Sequence, residues 1–219
     1  MRNKFDEQLH SLDEQLTHMG ELCETAIAKA TQALKDGSKE QAKIIITEDE
    51  EIDQIEKDIE RLCLKLLLQQ QPVAKDLRRI SAALKMITDM ERIGDQTSDI
   101  AEIILSSKND VAADDIHVIG TMASEVSKMV RNSVTAYVNR DLELARDVMK
   151  ADDAIDQYFE EVRDEMIDFI KEEKGEKIFD LIMVTKYLER IGDHATNIAE
   201  WVEFSITGVH KDSAIMHEG

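Results

Sequence analysis

Residues 91–102 read ERIGDQTSDIAE, and residues 189–200 read ERIGDHATNIAE. Eight of the twelve positions are identical. Each copy lies inside a long run of apolar residues at three- and four-residue spacing, a pattern that predicts a helix. Each copy also breaks two helix rules, because a mid-helix glycine costs about 1 kcal/mol against alanine and two acids four residues apart repel each other. Matching breaks of local rules indicate a functional site.

The repeat extends from this stretch to nearly the whole chain. Adding 103 to first-half numbers aligns residues 52–54 with 155–157, both IDQ, whereas adding 98 aligns the two twelve-residue stretches. Apolar periodicity predicts three long helices in each half, with first-half turns at Gly37–Ser38 and Gln69–Pro72. Because helices joined by short turns pack antiparallel, we predict an all-α protein of two pseudo-repeated three-helix bundles.

The sequence also suggests where the two halves divide. A polar stretch at 106–110 (SSKND) is the best boundary signal in the chain. We therefore predict a first bundle at residues 1–107 and a second bundle at residues 108–208. The remaining residues, 209–219, form a short polar end that we predict to be a disordered tail.

Composition and charge exclude several classes of function. The formal net charge of −20 argues against nucleic acids and anionic membranes as partners, because both require basic patches. No apolar run is long enough to cross a bilayer. Cys23 and Cys63 lie in helical patterns, where thiols are usually small buried apolar groups of a reducing compartment. The cysteine usage therefore predicts a cytoplasmic protein. Phosphate-binding loops, nucleophile elbows and Cys-x-x-Cys pairs are absent from the sequence, and we predict that the protein is not an enzyme.

A second acidic pair precedes each copy of the repeated stretch. Asp49 and Asp53 lie 23 and 19 residues before Pro72, and Glu91 and Asp95 lie 19 and 23 residues after it. The two pairs therefore stand at the same height on neighbouring antiparallel helices. The second half carries the equivalent four acids, whose heights agree to about one helical turn. These are Asp152, Asp156, Glu189 and Asp193.

Four converging carboxylates are unstable unless they are protonated or bridged by cations. Hard oxygen donors suit Mg²⁺, Mn²⁺, Ca²⁺ or oxidised iron. Gly94 and Gly192 would let a backbone or a metal–oxygen core approach the helix, and Asp99 with its counterpart Asn197 forms a second tier of ligands. A solvated helix face is the usual reading of one acidic pair, but repetition in register favours a cation site. We expect His194 to lie on the surface.

The two three-helix halves, the Asp-x-x-x-Asp and Glu-x-x-x-Asp pairs and the duplicated Glu-Arg-Ile-Gly-Asp resemble the PhoU family up to about residue 208. The resemblance implies a negative regulator of bacterial phosphate uptake and phosphate-responsive signalling. Such a protein acts as an adaptor between the ATPase subunit of a phosphate ABC transporter and a phosphate-sensing histidine kinase. It also implies a homodimer and metal clusters of variable identity, whether iron, zinc, manganese, magnesium or calcium. The eight acids above would then be the ligands.

Two other functions remain open at this point. A carboxylate-bridged metal-storage protein or metal-dependent enzyme of the helical-bundle type would point its ligands into the core and carry paired Glu-x-x-His motifs. The sequence has that motif once, at Glu7–His10. A metal-free helical scaffold would use its acids only for solubility, and would tolerate neutral substitutions throughout the repeated motifs.

Overall fold

The structure, a computed structural model, describes residues 2–70, 72–107, 117–170 and 175–209. Helices make up almost all of these residues, and no strand occurs among them. The helices are α1 (Arg2–Asp36), α2 (Lys39–Gln70), α3 (Ala74–Ser106), α4 (His117–Asn139), α5 (Leu142–Ile170) and α6 (Gly175–Thr207). The predicted fold, two repeated three-helix bundles, is confirmed. The predicted division at 107/108 falls at the edge of a stretch that the structure does not describe. Of the predicted tail, only its first residue is described.

The first turn of each bundle is built in the same way. Gly37 follows α1 with φ +60°, and Arg140, which the repeat aligns with it, follows α4 with φ +56°. Ser38 Oγ accepts a hydrogen bond from the Gln41 backbone N–H at 3.3 Å, and Asp141 Oδ1 accepts one from the backbone N–H three residues further on, at 3.0 Å. In each bundle, a residue in the left-handed backbone conformation thus ends the first helix, and a side-chain cap starts the second helix.

The two bundles lie side by side and antiparallel. Within each bundle, consecutive helices pack against each other, and the bundles meet through α3 with α6 and through α1 with α4. Tyr137, near the end of α4, donates a hydrogen bond to the Arg79 carbonyl near the start of α3. Lys35, at the end of α1, packs against Gly120 near the start of α4. With α1 at 35 residues, the assembly is a rod about 50 Å long.

Apolar residues at helical spacing fill one core that runs through both bundles. Its largest fully buried side chains include Leu16, Met86 and Met90. Cys23 and Cys63 are free and buried, and burial is the main reason that the pKa of each thiol is raised to about 12. Their predicted role as small buried groups is confirmed. No helix within the described ranges combines the length and apolar character that crossing a bilayer needs.

One ion pair joins three helices at the bundle interface. Arg79 Nη2 on α3 lies 2.5 Å from the Asp13 carboxylate on α1, and the two side chains are only 18% and 16% exposed. The Arg79 guanidinium also lies 5.8 Å from the ring centroid of Tyr137 on α4. This low exposure makes the pair a structural contact rather than a solvated surface bridge.

Candidate metal centre

Helices α2 and α3 bring the four predicted acids of the first bundle within electrostatic range; we call these residues the first cluster. Burial raises the pKa of Asp49, and the negative charges of Asp95 and Asp53 raise it further. Burial also raises the pKa of Glu91, to which Asp95 and Asp53 add. The raised pKa values therefore reflect burial first and repulsion among the carboxylates second, as expected for acids gathered on two neighbouring helices.

Gly94 makes room for a carboxylate of the cluster itself. A Cβ added at Gly94 would lie 2.5 Å from Asp49 Oδ1 and 3.1 Å from Ile52 Cδ1. The Asp49 side chain therefore reaches across the bare backbone of α3. A Cβ added at Gly192 would instead meet Ile155 Cγ2 at 3.3 Å. We expected a backbone or a metal–oxygen core to approach the helix at both glycines. At Gly94, the group that approaches is instead the side chain of Asp49, a candidate ligand.

Helices α5 and α6 gather the second cluster, which consists of Asp152, Asp156, Glu189 and Asp193. Burial raises the pKa of Asp152, and Asp156 and Glu189 are among the charges that raise it further. Burial likewise raises the pKa of Asp193, followed by the charges of Glu189 and Asp152. The charges of Asp156 and Glu189 thus act on both Asp152 and Asp193, although the sequence places the heights of the two acidic pairs about one turn apart.

Each cluster has a buried hydroxyl beside its first aspartate. Ser98 on α3 and Thr196 on α6 occupy equivalent positions of the repeated stretch. Each hydroxyl is close enough to lower the pKa of its neighbour, Asp49 or Asp152, against the larger effect of burial. Neither hydroxyl oxygen makes a hydrogen bond of ordinary geometry in the described part of the chain. Our sequence reasoning missed both residues, although a hydroxyl at this position in both copies is a usable signal.

The clusters suit a cation by chemistry but are not closed ligand cages. Within the described ranges, no three His, Cys, Asp or Glu side chains form a ready-made metal-binding group. The donors are nevertheless hard oxygens of the kind that Mg²⁺, Mn²⁺ and Ca²⁺ prefer. The side chains of Asp53, Glu91 and Asp95 are 45%, 27% and 38% exposed, so solvent reaches them. This placement differs from the core-facing ligands that a carboxylate-bridged enzyme requires.

The second-tier candidates lie at the contact between α3 and α6. Asn197 Nδ2 donates to Asp89 Oδ1 across this contact at 3.2 Å. Its counterpart Asp99, on α3, faces the Tyr187 hydroxyl of α6 across the same contact. This hydroxyl lowers the pKa of Asp99 against the larger effect of burial. His194 Nδ1 lies 2.9 Å from the same Asp89 oxygen, and its side chain is only 23% exposed. The surface position expected for His194 is wrong, because α6 packs this face against the other bundle.

The two glycines predict different results on substitution. We expect Gly94→Ala to lower the free energy of unfolding by about 1 kcal/mol, because overpacking outweighs the gain in helix propensity. Gly192→Ala meets only one tight apolar contact, so we expect it to be neutral or to stabilise by up to about 1 kcal/mol. Urea unfolding of both variants measures the difference. Equal effects of the two substitutions would contradict the role given to Asp49.

The raised pKa values predict how stability responds to pH in metal-free protein. Carboxyls with raised pKa values bind more protons in the folded than in the unfolded state, so lowering the pH stabilises the fold through this window. We expect the free energy of unfolding to rise in this way as the pH falls from neutrality towards the ordinary range of carboxyl pKa values. A variant neutralised at the four cluster acids whose pKa values are raised should show a smaller gain than wild type in urea unfolding with chelator. Its substitutions are Asp49→Asn, Glu91→Gln, Asp152→Asn and Asp193→Asn. Identical pH profiles would contradict the prediction.

The fold and its two clusters define a class of all-helical proteins with a duplicated acidic bundle. The family profile described as PhoU domain matches residues 16–104 and 119–202. The chain belongs to the PhoU family, as its sequence motifs predict.

Relatives and solved structures match over nearly the full chain. The phosphate-specific transport system accessory protein PhoU homolog of Clostridium acetobutylicum is 36% identical over 214 residues, covering 96% of this chain and 98% of that protein. The crystal structure of PhoU from Pseudomonas aeruginosa matches with TM-score 0.84 and 30% identity, covering 94% of this chain and all of that one. The phosphate transport system regulatory protein PhoU from Streptococcus pneumoniae matches with TM-score 0.87 and 28% identity, covering 94% and 98%.

Proposed function

We propose that this protein is a regulatory accessory protein of a bacterial phosphate transport system, which acts by binding rather than by catalysis. Its curated relatives carry names of this kind, and the match covers 98%, 87% and 86% of three of them. The partners we propose are the ATPase subunit of the transporter and a phosphate-sensing histidine kinase, both engaged in the cytoplasm. The outcome of binding is negative regulation of phosphate uptake and signalling.

We further propose that the two clusters bind metal cations. The observation that carries this proposal is the packing of Asp49 over Gly94, which holds a carboxylate beside the other acids of the first cluster. A cation would be held by Asp49, Asp53, Glu91 and Asp95, with the Ser98 hydroxyl as a further oxygen donor. It would add positive charge to that of Arg92 and Lys57, whose exposed side chains offset the repelling carboxylates only in part. The chemistry of the donors fits magnesium, manganese, calcium or iron, and the family resemblance adds zinc.

Metal binding would change the surface that the protein offers to its partners. Each bundle is a long packed rod, so its helix faces are fixed in position while the charge on one face depends on bound cations. A cation bound among partly exposed acids also offers open positions to a phosphate or to a partner carboxylate. Three exposed apolar side chains, Leu68, Val73 and Phe179, are candidate contacts for a partner or for a second copy in a homodimer.

Charge reversal within the first cluster tests this function in cells. We expect Asp53→Lys with Asp95→Lys to abolish repression of a phosphate-starvation reporter and to stop co-purification with the transporter ATPase. The matched control is Glu40→Lys with Asp58→Lys, which reverses the same number of exposed charges on α2 away from the cluster. Repression and co-purification by the first double variant at the wild-type level would overturn the proposal.

A further inference from the structure

Among the aligned positions that differ in charge between the two clusters, two carry this inference. Adding 103 places Phe159 on α5 opposite Glu56 on α2, and adding 98 places Lys186 on α6 opposite Thr88 on α3. The first bundle therefore has an acid and a neutral hydroxyl where the second has an aromatic ring and a lysine. Because both positions border the acidic clusters, the difference bears directly on cation binding.

In the first bundle, Glu56 acts as a fifth acid of the cluster. Its charge contributes to the raised pKa of Glu91, after the larger effects of burial and Asp95. Thr88 makes only a long hydrogen bond to a carbonyl of its own helix, at 3.5 Å. Neither residue neutralises the cluster, and Glu56 adds a further negative charge near it.

In the second bundle, Lys186 already holds one of the candidate ligands. Its ammonium group forms an ion pair with Glu189, and the Lys186 and Glu189 side chains are 41% and 15% exposed. The same ammonium lies 5.4 Å from the ring centroid of Phe159, a position that a cation–π attraction stabilises. The Lys186 charge also lowers the pKa of Asp193 against the larger effects of burial and Glu189. Lys186 is thus fixed between a ring and the cluster.

The cations beside the first cluster are held less firmly. Arg92 lies 2.8 Å from Asp95 and 3.5 Å from Glu91 but is 55% exposed. Lys57 reaches Asp53 only at 4.0 Å, with both side chains about half exposed. Exposed pairs of this kind contribute little and are easily exchanged for water. Arg190, which the repeat aligns with Arg92, lies over the Tyr187 ring instead.

We propose that the two clusters are unequal, and that Lys186 is a built-in counter-cation that weakens metal binding at the second cluster. The first cluster then binds cations more tightly and is the one that responds to their concentration. A metal entering the second cluster must displace an ammonium held by Glu189 and Phe159. Thr196 is 9% exposed, and its hydroxyl has no hydrogen-bond partner within the described residues. This hydroxyl still lies beside Asp152 as an oxygen donor. This inference rests on the proposed metal binding.

Calorimetric titration of chelator-stripped protein with Mn²⁺ separates the clusters. Asp152→Asn with Asp193→Asn leaves the first cluster intact, and Asp49→Asn with Asp95→Asn leaves the second. We expect the first cluster to bind Mn²⁺ about tenfold more tightly than the second. In the background with only the second cluster, Lys186→Thr should tighten binding about tenfold. In the other background, Thr88→Lys should weaken binding.

The control is Lys150→Thr, which removes an exposed lysine paired with Asp147 on α5 and changes the net charge equally. It should leave both affinities unchanged, and circular dichroism checks that each variant remains helical. Equal affinities of the two clusters, or no tightening with Lys186→Thr, would overturn this inference while leaving metal binding in place. No Mn²⁺ binding in either background or in wild type would overturn the proposed metal function as well.

Discussion

Asp13→Ala is expected to lower the free energy of unfolding by about 3 kcal/mol. The substitution leaves the Arg79 guanidinium charged and mostly buried at the junction of α1, α3 and α4, without the carboxylate that compensates it. Tyr137 stays packed against this guanidinium and cannot replace the missing negative charge. Urea unfolding followed by circular dichroism measures the loss.

The control for this prediction is an exposed pair at a similar distance. Asp58 and Arg61 on α2 lie 2.7 Å apart, with side chains 47% and 66% exposed. Asp58→Ala should therefore cost less than about 1 kcal/mol. Similar losses for Asp13→Ala and Asp58→Ala would show that the pair at the bundle interface is solvated, contrary to the structure.

Mn²⁺ is expected to stabilise the metal-free protein by about 2.7 kcal/mol for each cluster when its concentration is a hundred times the dissociation constant. This gain arises because Mn²⁺ binds the folded state and not the unfolded state. The folded state binds Mn²⁺ because the metal relieves the repulsion among the carboxylates that folding brings together. Urea unfolding with chelator and with Mn²⁺ measures the difference.

The matched variant for the Mn²⁺ prediction carries Glu91→Ala, Asp95→Ala, Glu189→Ala and Asp193→Ala, one acidic pair from each cluster. It should be no more stable with Mn²⁺ than with chelator. A gain of wild-type size in this variant would place the stabilising metal elsewhere on the acidic surface, and would contradict the assignment of the clusters.

The helices and their pairing could be predicted because the sequence carries long, regular apolar periods separated by strong turn signals. The Gly37–Ser38 turn is one example, since its glycine and its cap both appear in the structure. The contact between the two bundles could not be predicted in the same way. Periodicity shows that a face is buried without showing which helix covers it, so His194 was expected on the surface although it pairs with Asp89.

The acids of the candidate site could also be found from sequence, because counting residues from Pro72 gives their relative heights. Their local environment could not. The role of Gly94 depends on which side chain crosses α3, and this turns out to be Asp49. The lysine between Glu189 and Phe159 depends on rotamers and on helix rotation, neither of which a spacing rule contains.

The central claim is that the repeated acids bind metal, and elemental analysis of purified protein tests it most directly. The wild type and the variant lacking Glu91, Asp95, Glu189 and Asp193 would be purified without chelator and dialysed against Mg²⁺, Mn²⁺, Fe³⁺ and Zn²⁺ before measurement. We predict that the wild type retains metal and that the variant loses it, while both remain helical. Metal absent from both proteins, or retained equally by both, would contradict the claim.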